Sequence, residues 1–211
     1  ERTIYLYIFI MLEYVCLGLV FIIKIPPPKL FKYASLYKSM NEDLDHKYMR
    51  LAIEEAKISL QNGDYPVGAV LVINDKITGK KRNCLHSKED WASHAESMLI
   101  RENSKLIKSY IKNDLSDVIL YTTLEPCLMC LGTSVLHRIS KIVYACPDPH
   151  GGATKINPKE LTDWYVRKWP EIKGGLYKEE VYDLMIDFMK KQNTKVWDKI
   201  RVLYEDMNSK W

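Results

Sequence analysis

The sequence predicts an α/β domain of three layers, α/β/α, around a central mixed sheet of about five strands. Three observations lead there. Strand-like runs alternate with helix-like runs, the pattern of a sheet held between helical layers. The composition is that of a folded globular chain, 47% hydrophobic and 27% charged, with only 9 glycines and 9 prolines. A chain of 211 residues accommodates one domain of common size plus an appendage.

Residues 1–39 form the appendage. Residues 4–23, IYLYIFIMLEYVCLGLVFII, are apolar except for Glu13, and about 20 such residues span a bilayer as a helix. One central carboxyl costs roughly 2.5–3.5 kcal/mol on insertion, tolerable in so apolar a run. Arg2 precedes the run and Lys24, Lys29, Lys32 and Lys38 follow it, which places the rest of the chain in the cytoplasm. No small-residue cleavage site follows. Two readings stand: a membrane anchor with the domain on the cytoplasmic side, or translation upstream of a start at Met40. IPPPK (25–29) reads as a stiff linker in either case.

Residues 40–193 make the domain and 194–211 a C-terminal helix. From Asp43 to about Leu60, apolar positions at Leu44, Met49, Leu51, Ala52, Ala56, Ile58 and Leu60 suit an amphipathic helix, with Gly63 as its C-cap. VGAVLVI (67–73) is a buried strand, Asn74-Asp75 a hairpin turn, and KITGKKR (76–82) its partner. A polar loop leads to a helix over about 94–102 that extends towards Lys108. DVILYTT (117–123) is a strand, and Pro126 opens a helix to about Arg138. KIVYAC (141–146) is a strand, followed by the turn-rich PDPHGGAT. Helices follow over 159–169, 177–192 and 194–207, with a short strand EIK between the first two. No internal repeat or low-complexity tract is present.

Charge alone does not decide for a nucleic-acid partner. Of the formal net charge of +4, residues 1–39 carry +3, which leaves +1 on residues 40–211. The one basic run is Lys80-Lys81-Arg82, with Lys76 and Lys88 nearby, and such a run is most simply a solvated edge. Five cysteines (Cys16, Cys84, Cys127, Cys130, Cys146) are a poor disulfide framework. Only Cys127 and Cys130 are closely spaced, which suits half of a metal site in a reducing compartment.

The other half lies in WASHAESM (91–98). His94 and Glu96 are two apart, so they build no ordinary helix face. In TLEPCLMC (123–130), Pro126 suits the first helical position, and Cys127 and Cys130 share the first turn. The positive end of a helix favours thiolates and metal binding there. By itself CxxC is also compatible with redox chemistry. Two thiolates and one imidazole give three zinc ligands, the number that leaves a position open for water. Cys84 and His86 are the residues that could close it. A pocket over the helix ends lets His94 reach the metal while Glu96 reaches the water.

The order H-x-E…P-C-x-x-C resembles the zinc-dependent cytidine and deoxycytidylate deaminase-like superfamily. The resemblance runs from about Met49 to Lys190 and is nearest the tRNA adenosine deaminase and guanine deaminase branch. It includes YPVGAVLV (65–72), LEPCLMCLG (124–132), HRISKIVYA (137–145) and Asp148 with GGA (151–153). It implies one Zn²⁺ per chain, bound by His94, Cys127 and Cys130, with Glu96 as proton shuttle. Asn83 matches a residue that holds the nucleoside, and the backbone of Ala95 and Cys127 lies where the base edge binds. Asp148 matches a position lining the substrate groove, although it and Asn83 also suit turns. The resemblance further implies a homodimer.

Departures concern the substrate. The branch shows a proline and then a small residue between its aspartate and the histidine, whereas here Asp90 is followed by Trp91, Ala92 and Ser93. Trp91 could stack a base, narrow the site to a free base, or pack in the core. The span between the two motifs is slightly long for the tRNA branch. A charge-balanced helix replaces the basic tail of many tRNA-acting members. Three functions follow: adenosine-to-inosine deamination in tRNA; deamination of a free base or nucleoside such as guanine or cytosine; or a non-catalytic zinc-stabilised binding module, in which Glu96 would have no task.

Overall fold

A computed structural model describes residues 27–111 and 117–210, with side chains from residue 42 onward. The expected apolar anchor at 4–23 lies outside the described residues. Among the described residues, no helix is long and apolar enough to cross a membrane. The chain divides into two units, residues 1–38 and 39–211, and all that follows concerns the second except where α1 is given its full extent.

Five strands form one sheet in the order β2-β1-β3-β4-β5. They are β1 (Gly68–Ile73), β2 (Lys76–Arg82), β3 (Val118–Leu124), β4 (Lys141–Cys146) and β5 (Glu171–Gly174). β1 pairs antiparallel with both β2 and β3, while β3–β4 and β4–β5 are parallel. The sheet is therefore mixed, as expected. Asn74 and Asp75 both adopt positive φ, the backbone of a tight hairpin turn that matches strand twist.

Alternation along the strands sends side chains to two cores. Val70, Val72, Tyr121, Val143 and Ala145 meet α1 (Pro27–Gln61), α6 (Lys178–Gln192) and α7 (Lys195–Asn208). Ala69, Leu71, Ile73, Val118, Leu120 and Ile142 meet α2 (Ala95–Glu102), α3 (Ser104–Ile111) and α4 (Leu128–Leu136). Each fully buried aliphatic or aromatic side chain contributes about 1.5–3 kcal/mol, so both layers hold the sheet. At Gly68 an added Cβ would lie 2.1 Å from the carbonyl oxygen of Ala52. The missing side chain lets β1 start against α1.

Three boundaries differ from the sequence reading. α1 begins at Pro27 rather than Asp43, so IPPPK is partly helical. A proline φ already fits the first helical turn. The helix after His94 does not run through to Lys108: Asn103 ends it, its Nδ2 donating to the Leu99 carbonyl at 2.9 Å, and α3 starts afresh. Pro126 is not the first helical residue, because Cys127 is the N-cap of α4, with extended backbone (φ −70°, ψ 171°).

The helix expected over 159–169 is absent. A 3₁₀ turn (Pro158–Glu160) and the four-residue α5 (Asp163–Val166) stand there, with Leu161 extended between them. Leu161, Trp164, Tyr165 and Val166 are all exposed. Without a buried face, a short helix does not recover its nucleation cost.

Candidate metal centre and catalytic site

β3 carries the chain to Leu124, and Glu125-Pro126 then turns it into α4. β1 and β2 lead through a loop, residues 83–94, into α2. The two helices end on the same spot, with His94 as N-cap of α2 and Cys127 as N-cap of α4. Cys130 sits one turn inside α4, and Glu96 in the first turn of α2. An N-cap residue has extended backbone, which is how His94 and Glu96, two apart, face one point.

His94 Nδ1 lies 3.6 Å from Cys127 Sγ and 3.6 Å from Cys130 Sγ. All three ligand atoms fall within 4.8 Å of one another. Zinc–sulfur and zinc–nitrogen bonds of about 2.3 Å and about 2.0–2.1 Å, at the tetrahedral angle, separate N from S by about 3.6 Å. The three side chains present fit zinc. Neither Cys84 nor His86 joins the cluster: the Cys84 thiol faces the Arg82 carbonyl at 3.5 Å, and the His86 ring stacks on Tyr65.

The groups of the cluster shift one another, and Cys127 is the one moved towards its thiolate. The Cys130 thiol beside it, aided by His94, holds the Cys127 thiol down to about 4 against the opposing effect of burial. Cys130 is in turn pushed up by Cys127 and by burial. His94 is raised by Cys127, against desolvation. Glu96 is 3% exposed, and burial lifts its carboxyl above the ordinary range.

The approach to His94 is built by Asp90. Its Oδ1 accepts from Ala92 N at 2.9 Å and its Oδ2 from the Ser93 hydroxyl at 2.7 Å. Trp91, at the tip of that turn, is 84% exposed, which excludes the core-packing alternative. With Leu85, His86, Glu89 and Asp90 it lines a surface cleft of about 370 Å³. Asn83 is buried, its Oδ1 accepting from Leu85 N at 2.9 Å. Ala95 is buried at the start of α2. His150 is an exposed loop residue.

Asp148 faces inward to the C-terminal helix. Its Oδ1 accepts from the buried Tyr204 hydroxyl at 3.0 Å and from His150 N at 2.9 Å. Sequence reasoning passed over Tyr204 and Glu125. The buried Glu125 carboxylate accepts from Asp148 N and Thr154 N, both at 3.0 Å, and from the Thr154 hydroxyl. This clamps the 147–154 loop against the metal centre, where Gly152 pairs with Cys127 as an isolated β-bridge. A Cβ at Gly152 would sit 2.4 Å from Glu125 Cδ. The one available signal was an acidic residue directly before Pro126.

The basic run Lys80-Lys81-Arg82, expected as a solvated edge, is paired within the chain. Lys80 and Arg82 each lie 3.2 Å from Glu55, and Lys81 lies 2.9 Å from Glu102. β2 is one of the sheet's two edge strands, where lysines discourage pairing with other chains.

A family model described as the cytidine and deoxycytidylate deaminase zinc-binding region matches residues 42–146. A tRNA-specific adenosine deaminase of Bacillus subtilis (strain 168) is 34% identical over 151 residues, 72% of this chain and 92% of the relative. Among solved structures, one from a study of A-to-I editing by tRNA:A34 deaminases at the wobble position of transfer RNA superposes with a TM-score of 0.56. It has 28% identity and covers 65% of this chain and 98% of that one. A guanine deaminase from Nitrosomonas europaea shares the fold, with a TM-score of 0.53 at 15% identity, over 68% of this chain and 83% of that one.

Proposed function

This chain belongs to the cytidine and deoxycytidylate deaminase family, and on that premise we propose that it deaminates adenosine to inosine in tRNA. The observation that carries the chemistry is the triangle of His94, Cys127 and Cys130 with buried Glu96 beside it. These three residues hold one zinc ion per chain. When bound, the zinc supplies Lewis-acid activation of a water nucleophile.

The side chains do the rest. Glu96 takes a proton from the water as its oxygen attacks the amine-bearing carbon, and passes that proton to the adjacent ring nitrogen. It then carries the water's second proton to the departing amine. The carbon–nitrogen bond breaks, ammonia leaves, and a carbonyl remains. A carboxyl lifted by burial suits this two-way traffic, since an acid–base group works best when its pKa lies near the operating pH. Asn83 and the Ala95 backbone position the nucleoside, and Asp148, tied to Tyr204, shapes the groove.

The tRNA substrate is supported by relatives such as the Bacillus subtilis enzyme and by Trp91. A tryptophan so exposed is no wall of a closed pocket. It is a platform on which a base flanking the target can stack, worth about 1–3 kcal/mol. A free-base substrate has less use for it. Tightly spaced thiolate ligands and a tRNA substrate both suit the cytoplasm. Residues 40–193 form the catalytic domain with residues 194–211 as its closing helix. The chain forms a homodimer, supported by α4, where Leu128 (67%) and Leu136 (60%) are exposed on one face.

Ammonia release is the test. The zinc-loaded chain is offered free bases, nucleosides, nucleotides and unfractionated tRNA, with Glu96→Ala alongside. The expected outcome is turnover of tRNA, reduced about 10²–10⁴-fold in Glu96→Ala with one zinc per chain retained. Equal turnover by both proteins, or turnover of one small molecule only, contradicts the proposal.

A further inference from the structure

With the Lys80–Arg82 run paired inside the chain, a different set of cations converges elsewhere. Arg138 follows the last turn of α4, and Arg167 and Lys168 follow α5. Together with Ser140 and Trp169 they line one cleft of about 370 Å³. Among the described residues, none of the three pairs with a carboxylate. Lys168 Nζ lies 3.2 Å from the centroid of the Trp164 ring, a contact that fixes the ammonium without neutralising it. Desolvation, and then the like charges of Arg138 and Arg167, hold that ammonium below its ordinary range.

Arg138 also sits where its backbone is strained. Its φ is +54°, and it occupies the position after the C-cap of α4. The Arg138 N–H bonds to the Val135 carbonyl at 3.1 Å and the Ile139 N–H to the Ser134 carbonyl at 3.0 Å. That pattern is the Schellman motif, where glycine is the favoured residue. Glycine would close the same turn without the left-handed penalty. The negative end of α4 favours a cation, which accounts for one guanidinium but not for three cations meeting on one cleft. Strain kept for the sake of a side chain points to a task for that side chain. Planar guanidinium groups match phosphate oxygens in bidentate fashion.

We propose that the cleft between the end of α4 and the segment after α5 binds a backbone phosphate of a polynucleotide substrate, an inference that rests on the tRNA-deaminase reading. α4 is the spacer. Its nine residues, at about 1.5 Å each, put the cleft about 14 Å along the helix from Cys127. A free base or mononucleotide held at Cys127 has no phosphate that far away. A strand of several nucleotides does.

The test is equilibrium binding of tRNA to the zinc-loaded full chain as a function of salt. Wild type is compared with Arg138→Gly, with Arg167→Ala/Lys168→Ala, and with the triple variant. The triple variant is expected to bind roughly tenfold more weakly at low salt. Its plot of log affinity against log salt should be shallower by about 1–2. Arg138→Gly should lower affinity while its Tm holds or rises, which separates binding from folding. An unchanged salt slope in a triple variant of native Tm overturns the cleft, even if that variant still deaminates tRNA and the deaminase reading survives. Loss of slope without any deamination by wild type keeps the cleft and sinks the deaminase reading instead. Inorganic phosphate serves as the free-anion probe: stabilisation by phosphate that the triple variant loses, with RNA binding untouched, also overturns the proposal.

Discussion

Trp91 and Glu96 lie five residues apart and divide the work of the site between binding and chemistry. Glu96 is buried at a helix end beside His94, while Trp91 projects from the turn that Asp90 holds. Trp91→Ala is expected to raise KM for tRNA about five- to 150-fold, the kinetic equivalent of about 1–3 kcal/mol of stacking, with kcat nearly unchanged. Steady-state kinetics on tRNA checks the split, and a fall in kcat alone would place Trp91 in the chemistry. The zinc residues and Glu96 were legible in the sequence because their chemistry is local to two short motifs. The setting of Trp91 was not, since exposure depends on the turn that Asp90 builds. Nor was the role of Glu125, whose three donors come from a loop more than twenty residues further on.

α7 acts as an element. Thr194 caps it by accepting from Trp197 N, Trp197 packs on Tyr65 and Phe188, and Tyr204 reaches Asp148. The helix thus braces the loop that Gly152 pins to Cys127. Tyr204→Phe keeps the packing and removes one hydrogen bond to a carboxylate, so about 1–2 kcal/mol of stability should be lost. Thermal melts should show Tm lower by a few degrees, and an unchanged Tm would mean that the bond contributes nothing. Elements with buried faces were readable from hydrophobic spacing: β1, β4, α6 and α7 lie within a residue or so of where the pattern put them. The helix expected over 159–169 failed because its apolar residues are exposed, and spacing alone does not show what an apolar face meets.

The whole molecule is tied across its sheet by Asp45 of α1. Burial pushes its carboxyl up, but the Tyr121 hydroxyl at 2.7 Å and the ammonium groups of Lys173 and Lys141 outweigh this and hold it below the usual range. A carboxyl with a lowered folded pKa contributes stability above its unfolded value, about 3.9, and loses it as pH falls through the folded one. Asp45→Asn should therefore melt below wild type at neutral pH, by about 1–2 kcal/mol given that Lys173 is partly exposed to screening solvent. The gap should close below about pH 4 in melts run down the pH scale; a constant gap would contradict the linkage. The three-layer plan was legible because strands and helices alternate, whereas the convergence of Arg138, Arg167 and Lys168 on one cleft was not, since no run of sequence joins them. The most direct measurement is the nucleoside content of tRNA after incubation with the zinc-loaded chain and with Glu96→Ala. Inosine appearing at the expense of adenosine with wild type, and not with Glu96→Ala, is the expected result. Unchanged tRNA together with ammonia released from free guanine would contradict it.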